Sequence, residues 1–126
     1  MPIVSPAVTQ LDKSGIKQRV LEDLSVVEIG QSAASQDDAR IEAAYREVYD
    51  ELKELGLAVW SISGYLPNKI VPHVVALTAW NAIASGSYGV SPERYQRIQL
   101  AAASAEREIR RVVTPKYEST SEPRDY

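Results

Sequence analysis

Two stretches of the chain repeat apolar residues at the spacing of an α-helix, and this pattern most constrains the fold. The first stripe advances by alternating steps of four and three residues and consists of Ile41, Tyr45, Val48, Leu52 and Leu55. The second advances in the same way and consists of Tyr95, Ile98, Ala102, Ala105, Ile109 and Val112. Such steps place side chains on one face of a helix, because the helix turns once every 3.6 residues or so. Each stripe therefore predicts a long helix that packs along one seam.

Two shorter segments predict two further helices. The first helix begins near Asp12, and Ile16, Val20 and Leu24 follow at steps of four residues. The other begins near Ile70 and is apolar on almost every side, so we expect it to lie centrally among its neighbours. The fold class that follows is all-α, a small four-helix bundle with extended N- and C-terminal arms.

Polar residues and glycine predict where these helices begin and end. Asp12 or Ser14 is a candidate N-cap of the first helix. Ser35 is the candidate of the second, and Ser91, before a proline, is that of the last. Gly56 follows the first stripe, at the position where a left-handed residue commonly ends a helix. The bundle domain is therefore assigned to residues 12–114.

The two ends of the chain differ from this domain in composition. Residues 1–11 carry two prolines and no charged side chain, and they predict an extended N-terminal arm. Residues 115–126 contain two prolines and five charged side chains, and their only large apolar residues are two tyrosines. A segment with so little apolar surface is expected to be ordered by a partner. The residues of this tail proposed to bind the partner are Pro115, Lys116, Tyr117, Glu118, Pro123, Arg124 and Tyr126.

Composition excludes most catalytic and metal chemistry. The chain has no cysteine, which removes disulfides, thiolate zinc sites and cysteine nucleophiles. His73 is the single histidine, and no nucleophile or orienting acid can be matched to it. No apolar run approaches the roughly 18–20 residues that cross a bilayer, so no membrane partner is expected. We therefore expect no enzyme activity, no cofactor and no metal site.

Charge is distributed unevenly along the chain, whose formal net charge is −3. Residues 36–66 carry three basic and seven acidic side chains, whereas residues 91–114 carry five basic and three acidic ones. Unlike faces of this kind allow copies of one chain to associate head to tail in a ring. The residues predicted to make contacts between copies or with DNA in a channel are Glu47, Glu51, Glu54, Arg107, Arg110 and Arg111.

The three arginines allow two other interpretations. They form a cluster on the last helix that a small helical DNA-binding or DNA-packaging subunit would use to contact phosphates. Alternatively, both charged helices are solvated faces, and the arginines pair within their own helix. Glu106 lies four residues before Arg110, a spacing that favours such a pair.

Three short motifs, in this order, carry a family resemblance. They are Gly-Gln-Ser at 30–32, Glu-Leu-Gly-Leu-Ala-Val-Trp at 54–60 and Tyr-Gly-Val-Ser-Pro-Glu at 88–93. With these motifs, residues 12–114 resemble the head-to-tail adaptor, or connector, proteins of tailed bacteriophages, particularly the short-tailed type. Ser25 departs from the glycine that such sequences often have at this place.

The resemblance implies a structural virion protein without enzyme activity. Its subunits would form a homo-oligomeric ring, typically of twelve copies, beneath the portal protein, and DNA would pass through the ring without sequence-specific binding. The ring would connect the capsid to the tail proteins, and the segment 115–126 would bind the portal. The protein would be made in the host cytoplasm and would reside at the head-to-tail junction of the virion.

Overall fold

The computed structural model describes residues 11–86 and 88–113, and within them it contains four α-helices and no strand. The helices are α1 (Lys13–Asp23), α2 (Ser35–Glu54), α3 (Val71–Ala84) and α4 (Pro92–Val113), and a 3₁₀ turn at Asn68–Ile70 precedes α3. The prediction of an all-α, four-helix bundle is confirmed. The predicted arms lie outside the described residues, apart from Leu11.

Helix α3 occupies the centre of the bundle and packs against α1, α2 and α4. Its sequence carries no Asp, Glu, Lys or Arg, so every side of the helix can be buried. Val74, Thr78 and Ala79 are fully buried. The prediction that this helix lies centrally is confirmed.

Three of the four predicted helix ends agree with the structure. Asp12 and Ser91 each accept a hydrogen bond, through the side chain, from the backbone N–H three residues further on. Gly56 has φ +76°, which glycine adopts without steric cost. The prediction for Ser35 was wrong by one position, because Ala34 occupies the cap position and α2 begins at Ser35 without a side-chain cap.

Most members of the two apolar stripes are buried, and each stripe has an exposed end. Ile41 and Tyr45 of α2 and Ile109 of α4 are fully buried. Leu55 remains 43% exposed and Tyr95 42% exposed, although the pattern places both on the inner face. Both residues face α3 without being covered by it: Tyr95 packs on Trp80, and Leu55 borders a cavity together with Leu77 and Trp80. Periodicity alone could not assign their burial.

Trp60 anchors the loop after α2 on that helix. Its indole Nε1–H donates to the hydroxyl of Tyr45 at 3.0 Å, and the hydroxyl of Tyr49 donates to the carbonyl oxygen of Trp60 at 2.8 Å. The rings of Tyr49 and Trp60 pack edge to face, with centroids 5.9 Å apart. The two hydrogen bonds satisfy four polar groups while three aromatic rings are buried, which fixes the loop's path.

A nearly buried lysine joins α1 to α2. The Nζ of Lys17 lies 2.9 Å from Glu42 and 3.1 Å from Asp38, and only 9% of its side chain is exposed. Lys13 adds a second ion pair to Glu42 at 3.0 Å. Hydrogen bonds from Lys17 and then Lys13 lower the pKa of Glu42 to about 2.

We expect this cluster to make stability depend on pH in the acid range. The pKa of Glu42 is lower in the folded state than the ordinary value of 4.5, so its contribution is present above about pH 4.5 and is lost as the pH falls towards 2. In urea unfolding at a series of pH values, Glu42→Gln should lose stability near neutral pH and show a shallower acid decline than the wild type. The exposed Glu54→Gln, on the same helix, should retain the wild-type profile.

Candidate functional site

An apolar depression lies between α2 and α4, and α3 forms its floor. It consists of two adjoining cavities of about 240 and 260 Å³ that share Leu77 and Trp80. Leu55 and Val48 line the α2 side, and Ala102 lies on the α4 side. We call this depression the α2–α4 groove. It exists because α2 and α4 both pack on α3 and make few contacts with each other.

An aromatic pair and two carboxylates define the chemistry of the α2–α4 groove. The rings of Trp80 and Tyr95 meet edge to face, with centroids 5.3 Å apart, and both side chains remain partly exposed. Glu51 borders the groove from α2 and Glu106 borders it from α4. An apolar floor with acids at its sides suits an apolar side chain that has a basic neighbour.

The structure brings two of the three predicted acidic residues towards this groove. Glu51 lines it, and Glu47 accepts a hydrogen bond from the side-chain amide of Asn81, a groove residue, at 3.0 Å. Glu54 is exposed in the last turn of α2 and is not among the residues that line the groove. The three glutamates lie four and three residues apart along α2, yet only two of them lie close to α3.

The predicted arginines behave differently from one another. Arg110 pairs with Glu106 at 3.0 Å, and Arg111 pairs with Glu108 at 3.3 Å, both within α4. Intrahelical pairing, one of the interpretations drawn from the spacing, is therefore confirmed for these two residues. Arg107 is exposed and makes no ion pair within residues 11–86 and 88–113.

The side of α4 that faces away from α3 combines this arginine with an exposed leucine. Leu100 is 65% exposed and lies seven residues before Arg107, so the two side chains share one face about 10.5 Å apart along the helix. Gln96 lies on the same face and is exposed, and the exposed Ala103 lies where this face meets the α2–α4 groove, which it also lines. We call the four residues the outer face of α4. Leu100 lies outside the apolar stripe of α4, so the periodicity gave no signal for this face.

A second cavity, of about 430 Å³, lies on the opposite side of α4, next to α1. Arg97 pairs with Asp23 at 3.2 Å across it, and Glu22 and Arg19 complete a border of mixed charge. Hydrogen bonds from Gln18 and then from the backbone of Gly30 lower the pKa of Glu22. Two acids and two bases therefore border this cavity, and their formal charges cancel.

His73 lies half-buried in the first turn of α3. Among residues 11–86 and 88–113, no three His, Asp or Glu side chains come close enough to hold a metal ion. No helix in that part of the chain is both long enough and apolar enough to cross a membrane.

The proposed tail residues lie outside the described part of the chain. They are Pro115, Lys116, Tyr117, Glu118, Pro123, Arg124 and Tyr126. No protein-family model, curated protein or solved structure shows a significant match to this chain. The interpretation of function therefore rests on the residues, the fold and the resemblance noted in the sequence.

Proposed function

We propose that this protein is a head-to-tail adaptor of a tailed bacteriophage of the short-tailed type. Its copies form a ring, of twelve by the resemblance, beneath the portal protein. The ring extends the channel through which DNA leaves the capsid and connects the capsid to the tail proteins. The protein would thus be a structural component of the virion, located at the head-to-tail junction.

The observation that carries the proposal is the placement of unlike surfaces on different helices of one small domain. Glu47 and Glu51 make the α3-facing edge of α2 acidic, whereas Arg107 and Leu100 give the outer face of α4 a basic and apolar character. Two unlike, complementary surfaces on one subunit favour head-to-tail contacts, which form a ring when the rotation from one subunit to the next closes. The absence of cysteine and the single histidine agree with an assembly role.

The tail supplies the contact with the portal in this proposal. Tyr117 and Tyr126 offer large contact areas at a small cost in conformational entropy, and Pro115 and Pro123 restrict the chain. The support is the composition of residues 115–126 together with the position of the matching segment in the family that the chain resembles.

Deletion of residues 115–126 is expected to abolish binding to the portal ring of the phage that carries this chain. The deletion removes no residue of the four helices, so the thermal unfolding of the truncated protein should match that of the full chain. Binding is measured by co-sedimentation of the full and truncated proteins with purified portal rings.

A full-length control distinguishes the contribution of the two tyrosines to binding from an effect of tail length. The double substitution Tyr117→Ser and Tyr126→Ser keeps twelve residues after position 114 and should also lose most of the binding. Equal binding of the truncated protein and the full chain would refute the portal contact.

The DNA-binding alternative has less support from the structure. Two of its three arginines are neutralised by neighbouring glutamates in α4, and the chain carries a net charge of −3. A phosphate-binding surface would give a DNA affinity that falls steeply with salt concentration. Titration with duplex DNA at about 50 mM salt tests this directly, because electrostatic binding is strong at that ionic strength.

A further inference from the structure

We infer that the outer face of α4 in one copy docks into the α2–α4 groove of the next copy. The groove is a docking surface for a helix, and a second copy of this chain is its occupant. The inference rests on the proposed function for its role, because it gives the ring a specific contact between subunits.

The apolar part of the contact is a match between a protruding side chain and a depression. Leu100 is 65% exposed at the middle of α4, where no packing within the subunit covers it. The groove offers Leu55, itself 43% exposed, together with the partly exposed Trp80. Burying these surfaces against each other removes apolar area from water on both copies. The exposed Ala103 next to Leu100 lets the two helices approach closely.

The charges agree with the same orientation. Arg107 lies about 10.5 Å from Leu100 along α4. On the α2 side of the groove, Glu51 and Glu47 precede Leu55 by four and eight residues, or about 6 and 12 Å along the helix. With Leu100 beside Leu55, Arg107 therefore reaches this pair of carboxylates. No carboxylate occurs on the outer face of α4 between Leu100 and Arg107 to oppose the pairing.

The alternative surfaces of a second copy fit the groove less well. Ile29 is 90% exposed, but its neighbour Glu28 would face the acids of the groove. The segment 115–126 carries two basic and three acidic side chains, so it is also net acidic. The outer face of α4 combines an exposed leucine with an arginine that makes no ion pair within residues 11–86 and 88–113. The glutamates that flank this arginine in sequence, Glu106 and Glu108, are paired with Arg110 and Arg111.

Cysteine cross-linking tests the docking in a chain that has no cysteine of its own. Two full-length variants, Leu55→Cys and Leu100→Cys, are mixed and oxidised. We expect a disulfide-linked dimer that contains one copy of each variant, because a disulfide requires Cα atoms within about 7 Å. The matched control uses Val59→Cys in place of Leu55→Cys. Val59 is 59% exposed but lies outside the groove, so this mixture should give little disulfide-linked dimer.

Charge reversal provides an independent test of the docking. Sedimentation measures the self-association of the wild type and of each variant. Glu51→Arg should weaken self-association about tenfold or more, since it places like charges together. Asp50→Arg makes the same change at the next position, away from the groove, and should have little effect. Adding Arg107→Glu to Glu51→Arg should restore the association. Leu100→Asp should weaken it without changing thermal unfolding.

The outcomes separate the docking from the adaptor function. A dimer formed by Leu100→Cys alone, no product from the mixture, or a wild type that stays monomeric at every concentration would overturn the docking. Cross-linking with charge rescue, but without portal binding, would leave the docking in place and refute the adaptor. Portal binding without a cross-link would refute the docking and leave the adaptor function in place.

Discussion

Replacement of Trp60 by alanine is expected to lower the free energy of unfolding by about 3–5 kcal/mol. The indole is only 7% exposed and packs edge to face on Tyr49, so its removal leaves a large cavity between the loop and α2. The substitution also removes the hydrogen bond that the indole N–H donates to the buried hydroxyl of Tyr45. Domains of this size are stable by about 5–15 kcal/mol, so the loss is a large fraction of the total.

Chemical denaturation of the variant and the wild type measures this loss. Tyr65→Ala is the matched control, because Tyr65 lies in the same loop and is 64% exposed, and it should change stability by about 0.5 kcal/mol or less. Trp60→Phe separates the two contributions, since it keeps most of the ring and removes the N–H donor. A Trp60→Ala variant as stable as the control would contradict the anchoring of this loop.

Replacement of Ile109 by alanine is expected to cost about 2–4 kcal/mol. Ile109 is fully buried in the seam that α4 forms on α3, where the small residues Ala102 and Ala105 supply little apolar surface of their own. Ile98 is the other large residue that is fully buried in this seam. Loss of either isoleucine therefore removes one of the two large side chains of α4 that are fully buried.

The control for Ile109→Ala lies on the same helix. Leu100→Ala removes a similar number of carbon atoms from a side chain that is 65% exposed, and it should change the stability of the monomer by about 0.5 kcal/mol or less. Thermal unfolding distinguishes the two variants readily, because each kcal/mol shifts the midpoint of a domain of this size by about 4–8 °C. Equal midpoints would show that α4 is not held by this seam.

The sequence was sufficient to predict the helices because the stripes and the caps are local signals. Asp12, Ser91 and Gly56 act within one turn of their own helix, so the predictions of these helix ends hold. Burial at Leu55 and Tyr95 depends on how closely the neighbouring helix α3 covers them. Neither periodicity nor hydrophobicity carries that information, and both residues proved exposed at more than two fifths of their surface.

The candidate site was predictable to a smaller extent, for the same reason. The spacing from Glu106 to Arg110 indicated an ion pair, which the structure contains. The groove could not be predicted, because it arises from three helices whose relative positions no local pattern encodes. Lys17 is a similar case, since only the approach of α2 to α1 shows that its ammonium group is nearly buried between two carboxylates.

The central position of α3 also has a consequence for synthesis on the ribosome. The helices emerge in the order α1, α2, α3, α4, so the element that all the others pack on is the third to leave the exit tunnel. Until then, the apolar faces of α1 and α2 have only each other to cover them. When α3 arrives, three helices can close together, while its side towards α4 stays uncovered until about 30 more residues have been translated. Nascent chains paused within that interval would expose Trp80 and Leu77, and they are where chaperones would be expected to bind.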